Sequence, residues 1–153
     1  MSTGRGARAV DHARVDRRLE RIEVTSDALA ATASTPLADL LVNDDLVAAT
    51  ERRLQVAVQA AIDVAAHIAA ASVWPTAEGY SAVFEPLSRH GVLDAELARR
   101  LAMAAGLRNL LVHDYLEVDI ARLHASLAAD VADLRAFVHA VVTWLAEPTP
   151  PPS

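Results

Sequence analysis

The chain contains no cysteine and no lysine. The first absence excludes disulfides, thiolate metal sites and a thiol nucleophile. The second leaves arginine as the whole basic complement of 14 side chains, and arginine forks onto a phosphate where lysine acts as a point charge. GC-biased codon usage is the plain explanation of that bias, functional selection the other. Aromatic residues are scarce at 4%, too few for a base-stacking platform. With 53% apolar residues and abundant alanine, the composition favours closely packed helices over a sheet built from β-branched and aromatic side chains. No uninterrupted apolar run reaches the roughly 20 residues that span a bilayer, and the start MSTGRGARAV lacks the hydrophobic stretch of a signal peptide. A soluble cytoplasmic protein without membrane contact is expected. A formal charge of −6 argues against a broad basic surface, so any RNA contact must be local. Glycine-rich phosphate loops, nucleophile elbows and zinc-protease motifs are missing, and the histidines outside the motif described below show no metal-ligand spacing. No metal and no cofactor are expected.

What is present is helical periodicity. At 153 residues one domain is expected, spanning 10–146, with a disordered arm at 1–9 and a proline-rich tail at 147–153. Residues 11–33 read as a first helix with Val15, Leu19, Ile22 and Leu29 as its apolar stripe. Pro36 stops it. Asp44 or Asp45 caps a second helix reaching about Ser72, closed by Trp74-Pro75 because the residue before proline avoids the helical region. A third helix is predicted over 77–90, with Val83 and Leu87 apolar and Gly91 ending it. Asp94 caps a fourth, apolar at Leu97, Leu101 and Ala105 and fraying near its end. Asp119 caps a fifth, in which Ile120, Leu123, Leu127, Val131, Leu134, Val138, Val141 and Leu145 recur at three and four. The fold class is all-α, an antiparallel bundle of about five helices.

The chemistry concentrates between Arg108 and Tyr115, where Arg108, Asn109, His113, Asp114 and Tyr115 interrupt an Ala/Leu/Val-rich sequence. A permanent cation, an imidazole and a phenol suit phosphate chemistry. Arg108 and His113 are five apart, roughly 140° around an ideal helix, so either the helix loosens around His113 or a second subunit completes the site. Two plainer roles stand beside this: His113 as a helix-end residue bonding the last carbonyls, and Arg108 as a surface ion-pair partner of Asp114 or Glu117.

The order Arg-Asn, His, Tyr resembles the signature of HEPN domains of the HepT-like ribonuclease toxin family. ERRLQVAVQAAIDVAAHI at 51–68, Tyr80, Phe84, HGVLD at 90–94 and MAAGLRN before the motif fit that family in order, over roughly residues 10–145. The resemblance implies a homodimer whose two motifs meet at one cleft. It also implies an endoribonuclease toxin partnered by a minimal nucleotidyltransferase antitoxin that adds AMP to the motif tyrosine, here Tyr115. Metal-independent RNA cleavage needs a base for the 2′-hydroxyl, an acid for the leaving oxygen and fixed positive charge on the phosphate. His113 suits the first two roles and Arg108 the third, with Asn109 as an orienting donor. Asp114 either tunes the imidazole or is solvated. With one motif histidine per chain, acid and base are the two His113 of a dimer, and a 2′,3′-cyclic phosphate is the expected product. Tyr115 is equally compatible with a half-buried ring packed under the motif. A non-catalytic nucleotide-binding or scaffold subunit of a nucleotidyltransferase is the alternative function.

Two further stripes stand out. Arg52, Gln55, Gln59, Asp63 and His67 fall on one side of the second helix and read as a groove or subunit contact, a solvated face being the alternative. Arg14, Arg17, Arg18 and Arg21 share a face of the first helix, read as a solvated, ion-paired surface that could otherwise guide RNA or meet an acidic partner.

Overall fold

The computed structural model describes residues 9–113 and 119–147, except for the side chains of 80–81 and 108–113. The expected arm and tail lie outside the described residues save for Ala9 and Glu147. Six α-helices occur among the described residues: α1 (His12–Ala33), α2 (Leu37–Leu41), α3 (Asp44–Ala71), α4 (Phe84–Arg89), α5 (Ala95–His113) and α6 (Ile120–Ala146). Two of these boundaries correct the sequence expectation. The predicted helix 77–90 is α-helical only from Phe84, because Gly79 takes a φ of 109° and Tyr80–Val83 form a single 3₁₀ turn. The short α2 is additional, anchored by a fully buried Leu40.

Side chains set the helix ends. Asp11 caps α1 by accepting from the Arg14 N–H at 3.1 Å. Asn43, not Asp44 or Asp45, caps α3 by accepting from the Leu46 N–H at 3.0 Å; the two aspartates sit in the first turn, where the helix dipole favours negative charge. Asp94 and Asp119 cap α5 and α6 as expected, accepting from Leu97 and Arg122 N–H groups at 2.7 and 3.1 Å. Helix α4 closes on Gly91, whose φ of 80° turns the Val92 N–H back to the Leu87 carbonyl at 2.8 Å. Helix α3 closes in the same way, but with a valine in the glycine position. Val73 has a φ of 58°, and Trp74 donates to the Ala69 carbonyl at 2.9 Å. A left-handed L-residue costs roughly 1–2 kcal/mol, and Val73 is 86% exposed, so the offset comes from the burial of its neighbour Trp74.

Cross-helix contacts fix the topology. Asp11 meets His67 and Arg18 meets Asp63, so α1 and α3 run antiparallel. Arg135 bonds Asp27 and His124 bonds the Thr35 carbonyl, so α1 and α6 do too. Arg100 on α5 grips Asp133 on α6 at 3.1 Å, and the short connection between these helices makes them antiparallel. The long helices therefore alternate up and down. The C-terminal ends of α1 and α5 and the N-terminal ends of α3 and α6 share one end of the bundle, which carries the motif.

The apolar stripes read from the sequence form the core: Val15, Leu19, Ile22, Leu29, Leu97, Leu101, Ala105, Leu127, Leu134 and Val141 are all buried. Buried Ala57, Ala61, Ala65 and Ala69 let neighbouring helices approach α3 closely. Phe84 meets Phe137 edge to face with ring centroids 6.0 Å apart. By length and composition α3 is apolar enough to cross a membrane, which counting uninterrupted apolar runs missed; 56% of that stretch is buried inside the fold, and it serves as the central core helix.

Three turns into α6 a half-buried position holds a carboxylate. Burial pushes the Asp130 carboxyl above the usual range, the Ser126 hydroxyl opposes that shift by donating at 3.2 Å, and the neighbouring Asp133 charge adds to it. A raised carboxylate pKa means the folded state holds its proton more tightly, so the penalty is absent in acid and complete above the folded pKa. Asp130→Asn is expected to melt higher than the wild type at pH 7, the gap closing as pH falls below the usual carboxylate range; thermal melts across pH check this.

Candidate functional site

Residues 108–113 of the motif occupy the last turns of α5, and the preceding residues aim that helix. The Gly91 turn buries Val92 and Leu93 and delivers Asp94 to cap the first turn. Glu96 pairs with Arg99 and Arg100, and hydrogen bonding and charge from Arg99 hold its carboxyl below the usual range. Arg100 also reaches Asp133, tying α5 to α6. Beyond Ala105, the helix remains α-helical through Arg108, Asn109 and His113. The loosening expected around His113 is not found up to that residue: the Ala/Leu-rich run carries no proline, and its single Gly106 is accommodated within the helix. Tyr115 and Asp114 lie outside the described residues.

On this continuous helix the positions of Arg108 and His113 stand roughly 140° apart and about 7.5 Å along the axis. Position 108 continues the line of buried Leu101 and Ala105, seven and three residues before it; position 113 falls on a different side. One copy of α5 therefore does not bring the two positions to one point. The outward face of the same helix is unpartnered among the described residues: Met103 is 65% and Leu107 37% exposed, and a side chain added at Gly106 would meet nothing within 4 Å.

The polar stripe of α3 is divided by the topology. Arg52 is exposed and lies toward the motif end. His67 is roughly 22 Å further along the helix, where its Nε2 accepts the Asp11 N–H at 3.0 Å. Gln59 donates to Asp63 at 2.9 Å, and Asp63 faces Arg18 at 4.0 Å. Gln59, Asp63 and His67 thus line the seam with α1, half-buried, and the structure does not bring His67 to the motif end. Among the described residues no three His, Asp or Glu side chains gather into a metal-ligating group.

The arginine face of α1 departs from expectation. Among the described residues Arg14, Arg17 and Arg21 are exposed and enter no ion pair. On this face, among the described residues, only the Arg18 guanidinium reaches a carboxylate, Asp63 at 4.0 Å, and its Nε is buried without an acceptor. The face is solvated as expected but, Arg18 apart, not ion-paired: Asp16 and Glu23 lie on another side of the helix, and Glu20, although three residues from Arg17, makes no ion pair with it. Spacing alone revealed the face but not which of its guanidinium groups meet a carboxylate.

Known proteins share this architecture. A tri-AMPylated HEPN toxin of Shewanella oneidensis, in complex with an MNT antitoxin, superposes with a TM-score of 0.77 at 19% identity, covering 85% of this chain and 97% of that one. A toxin-antitoxin structure with AMP-PNP gives a TM-score of 0.79 at 18% identity over 86% of this chain and 99% of that one. These likenesses establish the fold. In sequence, the tRNA nuclease HepT of Aphanizomenon flos-aquae (strain 2012/KM1/D3) is 31% identical over 133 residues, 86% of this chain and 89% of that protein. The ribonuclease HepT-like family model matches residues 17–141, a stretch that runs from the first turns of α1 to the last turns of α6 and encloses the whole motif, and the chain belongs to that family.

Proposed function

We propose that this chain is the toxin of a toxin-antitoxin pair, a metal-independent endoribonuclease acting in the cytoplasm on tRNA or mRNA. The observation that carries the reading is the Arg-Asn, His, Tyr motif, intact inside the family match, with its Arg108-to-His113 part in the last turns of α5. Arg108 clamps the scissile phosphate and offsets charge developing on its oxygens. His113 removes the 2′-hydroxyl proton and, from the second chain, protonates the leaving 5′-oxygen. The 2′-oxygen attacks phosphorus, the bond to the 5′-oxygen breaks, and a 2′,3′-cyclic phosphate remains. Asn109 orients the phosphate. The divergence of positions 108 and 113 on one helix supports a cleft shared by a homodimer, and the apolar strip of Met103 and Leu107 beside Gly106 offers the second copy a contact next to the motif. Arg52 stands at the same end as a further phosphate contact. The partner is a minimal nucleotidyltransferase antitoxin, which silences the toxin by adding AMP to Tyr115.

Purified protein incubated with total RNA and with tRNA transcripts in excess EDTA is expected to cut and to leave cyclic phosphate ends. Strict dependence on added Mg²⁺ would overturn the mechanism.

A further inference from the structure

Arg14, Arg17, Arg18 and Arg21 form four like-charged neighbour pairs at three- and four-residue spacing along α1, an arrangement that repels itself. A face kept merely soluble interleaves acids at those spacings. Here Glu20, three residues from Arg17, is the one acid of α1 at such a spacing; among the described residues it makes no ion pair, and of the four guanidinium groups only that of Arg18 comes within 4.0 Å of a carboxylate, that of Asp63. In a chain of net charge −6, this is a row of guanidinium groups rising about 10 Å between Arg14 and Arg21, three of the four outside any ion pair among the described residues. Guanidinium groups fork onto phosphate oxygens, and a straight row of one sign fits a polymer whose charges repeat along its length.

The row is far from the motif. Arg100 is level with Asp133, and Arg135 with Asp27, which sets Arg21 and Arg14 roughly 25–35 Å below position 108 along the bundle axis. Spanning that gap takes more than the seven to ten steps that B-form duplex would need at roughly 3.4 Å each, because an RNA stem is A-form and rises less per base pair. We propose that the arginine row of α1 is a second RNA contact, gripping the phosphate backbone of a folded RNA's stem at a distance from the cut. The inference rests on the RNA-cleavage reading above and adds its substrate class: a structured RNA long enough to reach both places. Recognition there is of backbone and shape, because arginine contacts with phosphate carry no base sequence.

The test combines Arg14→Gln, Arg17→Gln and Arg21→Gln in a His113→Ala background that holds substrate uncut. Binding of an in vitro transcribed tRNA is measured by anisotropy over a salt series in EDTA. The dissociation constant is expected to rise at least about tenfold, and the slope of log affinity against log salt to fall by about two to three, near one per arginine removed. A three-nucleotide single-stranded RNA, too short to span the roughly 25 Å from the motif to the row even when extended, should bind both proteins alike. Arg21→Gln alone, expected to lower the slope by about one, gives the same reading if the triple variant loses helicity by circular dichroism. Unchanged tRNA affinity and slope, in a protein whose wild type cuts tRNA, would overturn the second contact and leave the cleavage reading standing. Neither binding nor cutting by the wild type would overturn both. Unchanged RNA binding with a lost complex to the nucleotidyltransferase would overturn the RNA contact and give the row to an acidic protein face.

Discussion

A dimer carrying His113→Ala in only one of its two chains is expected to cut RNA at no more than about one hundredth of the wild-type rate, because a general acid or base contributes about 10²–10⁴-fold. The expectation follows from the geometry of α5. That helix is regular through His113, so one copy sets its arginine and histidine positions about 140° apart, and the proposed cleft draws acid and base from the two chains. Losing one histidine then stops the single cleft, and the intact chain cannot compensate. Co-expressing chains with different affinity tags, isolating the mixed dimer and measuring its cleavage rate against both homodimers decides the matter. Half of the wild-type rate would show that each His113 works alone. The substitution lies in the last turn of a helix already capped at Asp94 and packed through Leu97, Leu101 and Ala105, so the melting temperature of the mixed dimer should stay near that of the wild type.

Tyr115→Phe is expected to produce a toxin that the cognate nucleotidyltransferase no longer silences. Tyr115 stands two residues beyond His113 in sequence, so under the proposed mechanism AMP on its phenol would bring a phosphate toward the arginine assigned to the substrate's own phosphate. Bulk and negative charge would then occupy the cleft. Phenylalanine keeps the ring and removes the acceptor oxygen, leaving a folded and active chain that escapes modification. Intact mass after co-expression, read alongside cell growth, is the measurement. AMP on another residue, or no AMP while the wild type is still neutralised, would assign inhibition to complex formation alone.

The parts of this fold legible in the sequence were those where one signal spoke without a rival. Asp94 and Asp119 each precede an apolar periodic run and cap it. Asn43, Asp44 and Asp45 are three capping residues in a row, and the choice among them is made by backbone conformation, which only the structure reveals. Helix α2 escaped notice because five residues are too few for a period to declare itself. The predicted helix 77–90 was over-extended because Val83 and Leu87 kept helical spacing across a 3₁₀ turn, where three-residue periodicity looks much the same over so short a stretch. At the site, the order of chemical residues in the motif was readable and its angular divergence could be calculated, whereas the straightness of the helix beneath it could not. The α3 stripe read as one surface because helical spacing ignores what packs alongside; α1 engages most of it and leaves Arg52 toward the motif.

The two tryptophans of this chain lie together at the end of the bundle opposite the motif. Trp74 follows the last turn of α3, Trp144 lies in the last turn of α6, and their ring centroids are 5.8 Å apart, with the His90 ring stacked on Trp74 at 4.2 Å. Intrinsic fluorescence is therefore a gauge with a fixed location: its emission follows the opening of the far end and is insensitive to events at the motif, roughly 20–30 Å away along α5. Denaturation followed by emission and by helicity should superimpose if the bundle opens as one unit. If the motif end loosens first, helicity will fall while emission holds, and the interval between the two curves will measure how independently the motif end moves.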